Sequence, residues 1–180
     1  MAQYFSGFFD SAGVTRTYSQ ADLARAFRTM LCNGVSDLGT CLKVTAGGGM
    51  KINVSAGIAM QEGYFGGILD DGGATLQLTV GAAGTAPRMV RVVLRQALTA
   101  TDAKCEIVLR DGASGSNPAA PALVRSSTWH ELSLARILVA AGVTSITASA
   151  ITDERADASV CGAMAPRCLA ASALGIAVQR

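Results

Sequence analysis

The stretch RMVRVVLRQAL, residues 88–98, has the strongest strand pattern in the sequence. Val90, Val92 and Leu94 alternate with charged or other residues, and this period of two places successive side chains on opposite faces of a strand. The pattern predicts a long strand that turns one apolar face toward a core.

A second strand returns beside the first after a turn at Asp102. In KCEIVLR, residues 104–110, the alternating positions Cys105, Ile107 and Leu109 share one face. Two alternating segments joined by a short turn predict an antiparallel pair. We interpret Cys105, at an apolar position of this strand, as a small core residue.

Alternation continues on both sides of this pair. Residues 42–54 alternate around a turn at Gly47-Gly48-Gly49, and residues 58–60 and 76–80 add further strand segments. Residues 129–141 fit both a strand and a helix. We predict a strand there, because hairpins precede the segment and β-branched residues follow it.

One helix is predicted near the N-terminus. Ser19 is a suitable N-cap, and Asp22 stands three residues later, close to a capping box. Asn33-Gly34 ends the pattern. The apolar stripe at helical spacing consists of Leu23, Ala24, Phe27, Met30 and Leu31. These signals predict a helix within residues 19–34.

Together these elements predict a mainly β fold: an antiparallel β-sandwich-like domain with one N-terminal α-helix and short terminal segments. We divide the chain into a docking arm (1–18), the helix (19–34), a β-rich domain (35–162) and an apolar C-terminal packing segment (163–180). A chain of 180 residues suits one large domain with such appendages.

The N-terminal arm is rich in aromatic side chains. Its docking candidates are Tyr4, Phe5, Phe8 and Phe9. An apolar segment that precedes the first helix, without an obvious cover in its own chain, favours contact with a neighbouring subunit. The alternative is that the arm folds back on its own sheet.

Composition excludes several classes of function. The net charge is +2 and no run of Lys or Arg forms a basic patch, which argues against nucleic-acid binding. We find no apolar run long enough for a transmembrane helix and no secretory signal, so we expect synthesis in the cytoplasm. Only 16% of the residues are charged, which indicates either a surface covered by other subunits or a bias toward small residues.

The cysteines do not indicate a metal or redox site. There are five, an odd number, with long spacings and no CxxC pair. We expect reduced thiols, as is usual for proteins assembled in the cytosol.

The remaining motifs do not make an active site. The lone His130 has no second ligand at a useful spacing, and Gly47-Gly48-Gly49 lacks the ending of a phosphate loop. Gly112-Ala113-Ser114-Gly115-Ser116 is not a nucleophile motif, and Asp70-Asp71-Gly72 lacks the rest of a calcium loop. We therefore expect no enzyme activity, no cofactor and no metal.

The densest charged cluster is DERAD, residues 153–157. Paired carboxylates could support acid–base chemistry. A cluster that contains its own arginine more often forms a salt-bridged corner or an interface lock, so we take Asp153 and Arg155 as subunit-docking candidates.

The order of several short motifs resembles tail-tip proteins of phages and prophages of Gram-positive bacteria, specifically the N-terminal module of baseplate upper proteins and receptor-binding-protein anchors. The motifs that carry this resemblance are FFDS (8–11), TYSQADLA (17–24), NGV (33–35), LKVTAGGGM (42–50), VSAG (54–57), RVVLR (91–95), SNPAAPAL (116–123), AGVTSIT (141–147), ITDER (151–155) and Cys161-Gly162. They extend over most of the chain.

The resemblance implies a structural virion protein without catalysis. It implies symmetric assembly, with a homotrimer expected, and contacts with other tail or baseplate proteins. This chain continues only to Arg180 after the last motif, without a long fibre or distal head, which favours an assembly component over a complete adhesin. The alternative is a module that binds a host receptor or glycan through Tyr64, Phe65 and Trp129.

Overall fold

The computed structural model describes residues 19–69, 73, 75–99 and 104–167. Within these ranges the chain forms one α-helix and ten strands. The helix α1 is Gln20–Met30, and the strands are β1 Gly34–Val35, β2 Val44–Ala46, β3 Lys51–Ser55, β4 Gly57–Gln61, β5 Tyr64–Ile68, β6 Thr75–Thr79, β7 Arg88–Ala97, β8 Cys105–Asp111, β9 Trp129–Val139 and β10 Ile151–Asp153. The predicted mainly β fold with one helix near the N-terminus is confirmed.

The central sheet has four antiparallel strands in the order β10-β9-β7-β8. The predicted pairing of β7 with β8 is confirmed, with Val92 opposite Leu109 and Leu94 opposite Ile107. The ambiguous segment after residue 129 is strand β9, as predicted. Its helix-like pattern has a physical cause, since β9 is buried on both faces and lacks a simple alternation.

Two three-stranded antiparallel sheets complete the fold, in the orders β2-β3-β6 and β1-β4-β5. The predicted hairpin at residues 47–49 joins β2 to β3. The hydrophobic core lies between these sheets and one face of the central sheet. Its fully buried members include Leu42, Ile52, Val54, Val92, Leu94, Leu132 and Ile137. This layering matches the β-sandwich-like prediction.

Strand β5 was not predicted, because glycines interrupt its pattern. Gly66 allows β5 to pack close to the central sheet. A Cβ on Gly66 would come within 2.3 Å of the Cys105 sulfur on the central sheet. The missing side chain lets two sheets approach closely at this point.

Helix α1 starts as predicted and ends within the predicted segment. The Ser19 hydroxyl accepts from the Asp22 backbone, and the Asp22 carboxylate accepts from the Ser19 backbone, so the capping box is complete. The helix stops at Met30, and Leu31 is already extended. The helix lies within the predicted segment 19–34, and the residues after Met30 pair instead with the backbone of residues 163–166.

Residues 163–167, the start of the predicted packing segment, run beside residues 31–35. The Cys32 amide donates to the Ala165 carbonyl at 2.8 Å, and the Met164 amide donates to the Val35 carbonyl at 2.7 Å. The predicted docking arm, residues 1–18, and the segment beyond residue 167 lie outside the described residues.

The turn between β4 and β5 controls how α1 docks. Glu62 and Gly63 both have positive φ, 53° and 86°. This is the two-residue hairpin geometry in which glycine is preferred. A Cβ on Gly63 would come within 1.9 Å of the Ala24 carbonyl oxygen, so the helix backbone rests directly on this glycine.

We expect Gly63→Ala to reduce the free energy of unfolding by about 1–3 kcal/mol, because alanine is strained at this φ and pushes α1 away. Chemical denaturation measures the effect. Gly84→Ala is the matched control, since a Cβ at Gly84 meets no atom within 4 Å. Equal stability of the two variants would contradict the proposed role of Gly63.

Candidate functional site

A cleft of about 700 Å³ opens between α1, the β4–β5 turn and the start of β9. Most of its wall is polar. The chemically important lining side chains are Arg25, Arg28, Asn33, Glu62, Tyr64, Arg125, Ser127 and His130. These residues are far apart in the sequence and meet only because α1 packs over the β4–β5 turn.

Glu62 is locked in place at one side of the cleft. The Asn33 amide donates to the Glu62 carboxylate at 2.8 Å, and the Glu62 backbone amide donates back to the Asn33 side chain at 2.9 Å. Arg28 pairs with the same carboxylate at 3.3 Å. Burial opposes ionisation of Glu62, but the hydrogen bonds from Asn33 and Arg28 outweigh it and hold the pKa of Glu62 below its ordinary value.

His130 forms part of the cleft floor and is 8% exposed. The Gln61 side chain is best oriented with its amide nitrogen toward β9, where it donates to the His130 carbonyl at 2.9 Å and to the imidazole Nδ1 at 3.2 Å. Burial lowers the pKa of His130; Glu62 raises it and Arg125 lowers it again, so the pKa stays below its ordinary value. The lowered pKa favours the neutral imidazole at physiological pH.

The second face of the central sheet carries a buried ionic layer. Glu131 is fully buried, with one carboxylate oxygen 3.5 Å from Arg95 and 3.7 Å from Arg110. Its other oxygen accepts from the Val124 backbone at 2.7 Å. The loop between β8 and β9 thus closes over this face through its own backbone.

Glu154 holds a similar position nearer β10. It is 3.2 Å from Arg91 and 3.7 Å from Arg136, and it accepts a hydrogen bond from the Ser133 hydroxyl at 2.5 Å. Each buried carboxylate is held between two arginines. Removing the arginines of such a site would leave a buried carboxylate without its counter-charge, which is costly.

Arg155 is a clamp within its own chain. Its side chain is 2% exposed and donates to the carbonyls of Cys41, Leu38 and Gly39 at 2.7, 3.2 and 3.2 Å. It also pairs with Asp153 at 2.7 Å. The cluster is therefore a salt-bridged corner. The Arg155 guanidinium is bound within its own chain, whereas Asp153 is 48% exposed; their role in subunit docking stays a prediction.

The three aromatic glycan candidates do not form one surface. Tyr64 lines the cleft, whereas its neighbour Phe65 points to the opposite face of β5 and packs edge-on against Phe27 at 5.2 Å. The Trp129 ring is covered by Arg95, whose guanidinium carbon lies 4.2 Å from the ring centre. The arm candidates Tyr4, Phe5, Phe8 and Phe9 lie outside the described residues.

The described cysteines are free thiols: Cys32, Cys41, Cys105 and Cys161. Burial raises the pKa of Cys105 to about 11 and that of Cys161 to about 12. Both thiols are protonated and poorly nucleophilic at neutral pH. Cys105 packs against the core, as predicted.

The part of the chain that the structure describes contains no group of three or more side chains placed to hold a metal ion. Within the same ranges, no helix has the length and apolar character needed to cross a membrane. The acidic pair at residues 70–71 lies outside these ranges.

Comparison with known protein families, with curated proteins and with solved structures finds no match. The function is therefore inferred from the geometry described above and from the ordered motifs of the sequence.

We expect Arg155→Lys to lower the free energy of unfolding by about 2–4 kcal/mol, because lysine cannot donate to three carbonyls and a carboxylate together. Urea denaturation measures the loss. Arg125→Lys, at an exposed arginine, is the control and should change stability by no more than about 0.5 kcal/mol. If Arg155→Lys lost no more stability than the control variant, the proposed role of Arg155 as a clamp would be ruled out.

The corner also predicts a pH dependence. The hydrogen bonds from Arg155 hold the pKa of Asp153 below its ordinary value of 3.8, although burial opposes them. A carboxyl of this kind contributes stability above its unfolded pKa, and the contribution disappears as pH falls through the folded pKa. We expect Asp153→Asn to be less stable than wild type at neutral pH, with the difference shrinking below about pH 4. Denaturation curves across this range test it; a constant difference would contradict it.

Proposed function

We propose that this chain is a non-enzymatic structural module of a phage tail tip or baseplate, which assembles as a symmetric oligomer and organises receptor-binding components. The observation that carries the assembly part is an exposed apolar face beside α1. We define the apolar face by four side chains: Leu23, Met30, Ile58 and Phe65. They are 38%, 52%, 41% and 46% exposed, respectively.

The apolar face is contiguous across helix and sheet. Leu23, Phe27 and Met30 follow one another at helical spacing along α1. Phe27 contacts Phe65 on β5, and Ile58 lies diagonally across from Phe65 on the neighbouring strand. Large side chains thus continue from the helix onto the outer face of the β1-β4-β5 sheet.

An exposed patch of this kind is typical of a surface that another protein covers. The arm, residues 1–18, contains five aromatic residues and precedes Ser19, the N-cap of α1, in the sequence. We propose a neighbouring copy as the partner, with the homotrimer as the expected assembly. The arrangement of Glu131 and Glu154 between arginines supports a structural role over catalysis.

The tail-tip part of the proposal rests on the ordered resemblance that extends from residue 5 to residue 162. The resemblance supports a location in the virion tail, with other tail or baseplate proteins as partners. A host-surface glycan is the alternative ligand. Of its three aromatic candidates only Tyr64 lines the cleft.

Light scattering of the purified chain at micromolar concentration tests assembly. We expect a particle of three chain masses, and we expect Met30→Glu to shift it toward the single chain, because a buried unpaired carboxylate opposes association. Leu138→Glu is the control, since Leu138 is 45% exposed and belongs to β9 of the central sheet. A monomeric wild type, unchanged by deletion of residues 1–10, would overturn the assembly proposal.

A further inference from the structure

We propose that the cleft beneath α1 binds a small hydroxylated ligand that carries a carboxylate or a phosphate, as a sugar acid or a sugar phosphate does. This inference is independent of the assembly proposal. It rests on the charge, the hydrogen-bond donors and the size of the cleft.

The cleft lining carries more positive than negative charge. Its lining contains three arginines, Arg25, Arg28 and Arg125, and one carboxylate, Glu62. Arg25 is also 3.9 Å from the Asp22 carboxylate, so with both carboxylates counted the excess is one positive charge. Because Arg28 is paired with Glu62 and Arg25 with Asp22, Arg125 is the arginine of the lining that carboxylates of the described residues engage least.

The arginines approach from two walls. Arg25 and Arg28 belong to α1, whereas Arg125 belongs to the segment that leads into β9 and pairs there with the backbone of His130. Arg125 is exposed, and its charge is close enough to lower the pKa of His130 at the floor. An anion between these walls would be held from both sides by guanidinium groups, which suit carboxylates and phosphates.

The floor adds the imidazole of His130. Its Nδ1 faces the Gln61 amide at 3.2 Å, which leaves Nε2 directed away from Gln61. Nε2 is 3.8 Å from the Glu62 carboxylate, beyond hydrogen-bond distance, so it is the ring nitrogen that a ligand in the cleft would meet. The Tyr64 side chain and the Ser127 hydroxyl, also in the lining, provide partners for ligand hydroxyl groups.

Size and polarity narrow the ligand class. A cleft of about 700 Å³ lies in the range that small-molecule sites occupy. Its polar lining disfavours an apolar ligand, while the Tyr64 ring offers a surface on which a sugar ring can stack. A monosaccharide with one anionic group satisfies all of these features.

The test is a titration of the full chain, followed by two-dimensional amide NMR, with glucuronate, glucose 6-phosphate, glucose and inorganic phosphate as separate probes. We expect at least one charged sugar to bind more tightly than glucose and than inorganic phosphate, with shifts at cleft residues. Binding of glucuronate identifies a carboxylate ligand, and binding of glucose 6-phosphate identifies a phosphate ligand.

Two variants locate the site. Arg125→Gln should weaken binding of the charged sugar about ten-fold, which is the effect of losing one charge-assisted hydrogen bond. Tyr64→Ala should also weaken binding of the charged sugar, because the aromatic ring is lost. Lys51→Gln, at an exposed lysine on β3, removes one positive charge elsewhere and should leave binding unchanged.

Three results would overturn the proposal: no charged sugar binds, Lys51→Gln weakens binding as much as Arg125→Gln, or the charged sugar binds no better than inorganic phosphate or glucose. Thermal denaturation of each variant shows that a lost signal is not a lost fold. The titration does not depend on the oligomeric state. A failure to bind sugar therefore leaves the assembly proposal standing, and a monomeric chain would leave the ligand proposal standing.

Discussion

The central strands β7 and β9 are buried on both faces, and most of the remaining structure follows from this constraint. One face carries aliphatic side chains against the two small sheets. The other carries arginines and glutamates, which must be desolvated together, because an unpaired buried charge costs several kcal/mol. Glu131 and Glu154 therefore each lie between two arginines, and the segments that cover them are held by backbone hydrogen bonds to Glu131 and Ser133.

The docking of α1 links the two surfaces to which we assign functions. The helix contacts the sheet through Ala24 over a glycine turn and through Phe27 against Phe65. This narrow contact leaves Leu23 and Met30 exposed on one side and the arginines of the cleft on the other. Assembly and ligand binding would thus use different sides of one helix.

Parts of this architecture could be predicted because their causes are local. The pairing of β7 with β8 follows from two alternating segments around a short turn, and the start of α1 follows from Ser19 and Asp22. Strand β5 could not be predicted, since Gly66 is explained only by the Cys105 side chain of another sheet. The exact end of α1 could not be predicted for the same reason, because its boundary depends on backbone pairing with residues 163–166.

The candidate sites depended almost wholly on distant contacts. Tyr64, Phe65 and Trp129 had been grouped by residue type, yet they occupy three different environments. The cleft joins α1 to a segment about one hundred residues later, and such a meeting leaves no local signal. A signal was present for the ionic layer, in the arginines that alternate with valines along β7.

The sequence by itself determined the mainly β class, the strand pair at its centre and the capped helix, because periodicity and capping act between residues close along the chain. The tertiary structure alone decided that Arg155, isolated in the sequence among acidic residues, would be buried against the carbonyl of Cys41, 114 positions away. It also decided which aromatic residues stay exposed and which charges share a cleft. Those outcomes depend on how the sheets and the helix pack against one another, and packing is a property of the whole chain.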